Sequence, residues 1–90
     1  MQIPPANVLV QAANMALEQD KPIYLDYFND SIEKTCCIGV SEDKTKILAK
    51  SQTDFTSPIE KIVKADQCFV VCTENSIYIV SADILVKKIT

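Results

Sequence analysis

Ninety residues, 48% of them hydrophobic and 23% charged, suit one compact domain and leave too little chain for two independent cores. The formal charge is −3, the chain has neither His nor Trp, and all nine basic residues are Lys. That composition excludes an imidazole base or metal ligand from this chain, and removes the bidentate fork that Arg offers to guanine and phosphate.

Pro4 and Pro5 hold the start of the chain out of regular structure, and residues 6–18 then read as a helix. Asn7, Gln11, Asn14 and Glu18, spaced by four, three and four, form one polar stripe. Val8, Leu9, Val10, Ala12, Ala13, Met15, Ala16 and Leu17 fill the rest, an apolar arc wide enough to cover a β core and also enter a subunit contact.

Asp20, Lys21 and Pro22 stop the helix. The alternation of Ile23, Leu25 and Tyr27 predicts a strand over 23–28, followed by a turn or short excursion over 29–34. A second strand over 35–41 carries the only glycine, Gly39, which marks a bulge or a close backbone approach. Glu42, Asp43 and Lys44 turn the chain into a third strand over 45–51, so this pair reads as a hairpin. Residues 52–58 form the clearest loop. Strands over 59–65, 68–73 and 77–81 follow, joined by tight turns, then a short helical turn over 82–85 and a last strand over 86–89.

One helix before five or six short strands gives a mainly β fold, a small and partly open barrel. The order of elements resembles an SH3-like or Sm-like barrel. That resemblance is one of architecture, carries no family motif, and transfers no site residues. An α+β antiparallel sheet packed by a helix is the alternative. A single domain is expected over 1–90, with the helix at about 6–18 and the β region at about 23–89.

No catalytic, cofactor-binding or metal site stands out. Cys36 and Cys37 are adjacent and project to opposite faces of a strand, which is awkward for one zinc ion. Cys68 and Cys72 share a strand face but lie about 13 Å apart along it, too far to bond each other. Reduced packing thiols are the expectation. Asp26, Asp30 and Glu33 read as solvated acids, and the five aromatics of residues 24–78 outside the 52–58 loop read as packing groups split between two faces.

Acidic residues dominate the first thirty positions and no segment is a basic arm, so capture of nucleic acid or of an anionic membrane is not expected. The start of the chain lacks signal-peptide features and no run reaches membrane-spanning length, which points to a cytoplasmic protein. The expected function is a non-catalytic protein interaction or assembly module, self-associating or part of a larger complex. The alternatives are an Sm-like oligomeric binder of single-stranded nucleic acid, and a small hydrolase using carboxylates or a thiol. Val10, Phe55 and Val71 are the candidate interaction surface. A charge at Val10 or Val71 is expected to disrupt packing far more than one at Gln11.

Overall fold

The computed structural model describes residues 3–51 and 53–88. The expected first residue of the loop, Gln52, and the end of the last strand, Ile89, lie outside the described residues. Helix α1 (Ala6–Gln19) begins directly after Pro5, whose carbonyl accepts hydrogen bonds from the backbone N–H groups of Val8 and Leu9 at 3.1 Å. It ends at Asp20, which turns left-handed with its N–H returned to the Ala16 carbonyl, and Pro22 bars any continuation. Val8, Ala12 and Met15, at helical spacing, are its buried face.

The next segment differs from the sequence expectation. The strand is cut to β1 (Ile23–Tyr24), and Phe28–Glu33 forms a second helix, α2, where a turn or short excursion was expected. Six residues make too short a helix to persist alone. A contact fifty positions away fixes it: the buried Ser31 hydroxyl donates to the Phe28 carbonyl at 2.6 Å and accepts the Ser81 N–H at 2.8 Å. The alternation of Leu25 and Tyr27 therefore imitates a strand, while Tyr27 and Phe28 enter two different core clusters.

The remaining strands are β2 (Cys37–Val40), β3 (Lys46–Ala49), β4 (Ile59–Ala65), β5 (Cys68–Thr73), β6 (Ile77–Ser81) and β7 (Leu85–Lys88). They form two open sheets, ordered β1-β6-β5-β4 and β3-β2-β7. Each is mixed: β1 runs parallel to β6 and β7 runs parallel to β2, while the other pairs are antiparallel. The fold is mainly β with an N-terminal helix and sheets that do not close, in keeping with the partly open arrangement expected. Gly39 is regularly paired between Ile47 and Lys87, with no left-handed backbone; the irregularity lies instead in β4, between Ile59 and Lys61.

Strand alternation divides the core into two layers. Cys68, Val70, Cys72, Ile77 and Ile79 pack with Val8, Ala12 and Met15 of α1. Val71 and Val80, one position out of phase, pack with Ile38 and Leu48 of the second sheet. The order of layers is thus helix, first sheet, second sheet. Lys21 ties the end of α1 to the first sheet, donating to the Thr73 carbonyl at 2.8 Å and pairing with Glu60 at 2.9 Å.

Four non-glycine residues hold left-handed backbone: Asp20, Lys34, Lys44 and Asp66. Lys44 sits in the β2–β3 turn, where Asp43 accepts hydrogen bonds from the Ser41 hydroxyl and the Thr45 N–H. A lysine at φ 71° bears the Cβ clash that glycine lacks. Lys44→Gly is expected to raise stability by about 0.5–1 kcal/mol in chemical denaturation. A loss of stability would show that the lysine side chain contributes more than its backbone costs.

Candidate interaction surfaces

The apolar arc of α1 splits in two. Rotating 100° per residue, Val8, Ala12 and Met15 point to the first sheet, and Leu9 and Ala16 pack at its margin. Ala6, Val10, Ala13 and Leu17 share a different face, about 130° away, and all four are exposed, Val10 by 58% and Leu17 by 82%. Ile3, 71% exposed, lies in the coil before Pro4 and Pro5. The four helical positions are spaced 4, 3 and 4, the spacing of a helix-pairing seam. Asn7, Gln11, Asn14 and Glu18 form the third side. Val10 is exposed, so the expectation that a charge there disrupts packing as one at Val71 does is corrected: the apolar arc is divided between a buried and an exposed face.

A second surface lies on the far side of the molecule. The outer face of the second sheet carries Ile47 and Ala49 on β3, Cys37 and Gly39 on β2, and Leu85 and Lys87 on β7, neighbours by strand register. No helix covers this face among the described residues. Cys37, Ile47, Ala49 and Lys87 of this face line an open trough of about 770 Å³. Phe55, 55% exposed and bridged to Ala49, stands at its rim.

Lys34, Lys50, Lys87 and Lys88 line the trough, and among the described residues no acidic one does. Lys50 pairs with Asp30 at 3.0 Å and lies 4.8 Å from the centre of the Tyr27 ring; its hydrogen bond to Asp30 raises its pKa. Lys34 donates to the Asp83 carbonyl at 3.2 Å. In the sequence these lysines are scattered over more than fifty positions, so no basic run announces them.

Val71 must be withdrawn from the candidate surface. It is 0% exposed, held between the first and second sheets. Its strand is apolar on both faces because α1 covers one and the second sheet covers the other. Among the aromatics, Tyr27 meets Tyr78 edge-on at 5.3 Å, and Tyr24 lies 5.9 Å from Tyr78. Burial raises the pKa of both Tyr27 and Tyr78.

All four cysteines are free thiols, three of them buried. The Cys36 thiol donates to the Tyr27 carbonyl at 3.8 Å, and Cys72 accepts from the Lys21 ammonium at 3.5 Å. Among the described residues no group of three acids or thiols converges as a metal site. Burial pushes the Cys36 thiol up to about 11 from its ordinary 9.0, and raises Cys68 as well.

The shift at Cys36 has a direct consequence for pH dependence. Unfolding frees the thiol to lose its proton near pH 9, while the folded chain keeps it to about pH 11. Its contribution is therefore full below the first value, and stability falls by about 1.4 kcal/mol per pH unit through that window. Cys36→Val, which stays apolar and cannot ionise, should remove this component in denaturation curves taken from neutral to alkaline pH. Parallel losses in both proteins would place the alkaline sensitivity elsewhere.

No helix among the described residues is long and apolar enough to cross a membrane. No protein-family model, curated protein or solved structure matches the chain.

Proposed function

We propose that this protein is a non-catalytic interaction module that self-associates through the outer face of α1. The observation that carries the reading is the exposed 4-3-4 stripe of Ala6, Val10, Ala13 and Leu17, opposite no other element among the described residues. Large and small residues alternate along it. Two copies crossing antiparallel, with residue i over residue 23 − i, set each Leu17 on the partner's Ala6 and each Val10 on the partner's Ala13. The stripe is then complementary to itself, as a two-fold interface requires.

Electrostatics favour the same arrangement. Asn7, Gln11 and Asn14 flank the stripe without charge, and the antiparallel crossing brings Glu18 near the positive N-terminal end of the partner's helix. Burying a Val, Leu or Ile contributes about 1.5–3 kcal/mol each. Association costs about 4–15 kcal/mol. Val10 and Leu17 from each copy, about 6–12 kcal/mol in all, thus support a dimer that dissociates on dilution.

The free thiols fit a reducing compartment, and a cytoplasmic location is part of the proposal. Light scattering coupled to size separation, run over a concentration series, tests the reading. The mass is expected to climb from 10.0 kDa toward twice that value. A mass fixed at the monomer value up to millimolar concentration would refute it.

A further inference from the structure

We infer that the outer edge of β7, together with the lysine-lined trough beside it, docks an extended acidic and apolar segment of a partner protein. This site lies on the second sheet, in the layer farthest from α1, and stands independently of the self-association reading.

Three observations converge on it. First, β7 is the edge strand of its sheet: β2 occupies one side, and no strand pairs with the other among the described residues. Its backbone donors and acceptors on that side are available to an added strand, the commonest way a sheet edge recognises a peptide. Second, all four β7 side chains are exposed, Val86 by 64%. They read Leu85, Val86, Lys87, Lys88, two apolar positions followed by two cations. Third, Lys87 and Lys88 form no ion pair among the described residues, whereas Lys50 is already neutralised by Asp30.

The charge pattern selects the occupant. A second copy of β7 would bring two further lysines to the same edge, so the lysines oppose self-pairing there. A strand matched to β7 needs apolar side chains against Leu85 and Val86 and carboxylates against Lys87 and Lys88, because opposite charges stabilise and like charges destabilise directly facing pairs. Side chains on the trough face would lie beside Leu85 and Lys87, near a lining that includes Cys37, Ile47 and Ala49. Single-stranded nucleic acid is a poorer match: Phe55 is the only aromatic at the trough among the described residues, and a nucleotide chain makes no use of a strand edge.

Fluorescence anisotropy of the full chain at low salt tests the inference. The probes are two labelled ten-residue peptides, one with a Val-Leu-Glu-Glu core and one with Glu-Glu-Leu-Val, covering the parallel and antiparallel directions. One of them is expected to bind with a Kd of about 10–100 μM. The double variant Lys87→Glu, Lys88→Glu should weaken it at least tenfold while melting like the wild type, since both side chains are exposed. The same variant should gain affinity for the peptide with Lys in place of Glu. The inference is overturned if neither peptide binds the wild type, or if charge reversal leaves binding unchanged. Tighter binding of an oligothymidylate through the same two lysines would also overturn it and make the trough a nucleic-acid site.

Discussion

Val71→Asp is expected to unfold the domain, while Val10→Asp leaves its melting transition nearly unchanged. A ninety-residue domain is stable by about 5–13 kcal/mol. Val71 is fully buried between the sheets, with Ile38, Leu48 and Val80 in the same cluster. Removing its apolar surface costs about 1.5–3 kcal/mol. Placing a carboxyl there costs several more, because the group must either stay charged without a partner or take up a proton far above its normal pKa. The sum is comparable with the whole stability. Val10 is more than half exposed, where substitutions usually change stability by no more than about 0.5 kcal/mol. Circular dichroism melts of both variants, with Gln11→Asp as the exposed control, check the contrast. A cooperative melt near the wild-type temperature for Val71→Asp would show that the two sheets do not pack as described.

The second large effect concerns assembly. Val10→Glu combined with Leu17→Glu is expected to weaken self-association at least a hundredfold without loss of fold. Two-fold symmetry presents each substitution twice, so four carboxylates enter one small apolar contact, and desolvation and repulsion act together. Both positions point away from the core, so the melting temperature should stay within a few degrees of the wild type. Sedimentation equilibrium reads the first quantity and thermal denaturation the second. Unchanged association in a folded variant would remove α1 from the interface.

The parts of the fold legible in the sequence are those whose cause is local. Pro5 and the Asp20–Pro22 interruption bound α1, and the alternation within β5 and β6 sorts residues correctly onto two faces. The parts that were not legible depend on distant partners. Helix α2 needs Ser81, and the shortened β1 leaves the chain free to turn into it. β7 follows β6 in the chain yet pairs with β2, so a reading by neighbouring hairpins cannot find the second sheet.

The candidate site follows the same division. The apolar residues of α1 were visible, but which of them face solvent depends on how the helix meets the sheet. Val71 looked like interface material because its strand is apolar throughout, and only the layer order shows that both faces are covered within one chain. The trough was invisible because Lys34, Lys50, Lys87 and Lys88 are gathered by the fold and not by adjacency.

Self-association through α1 is tested most directly by isotope-filtered nuclear Overhauser measurements on a mixture of labelled and unlabelled chains. Contacts between the Leu17 methyl groups of one copy and Ala6 of its partner, and between Val10 and Ala13, are predicted. Intermolecular contacts confined to the sheets, or none at millimolar concentration, would contradict the account.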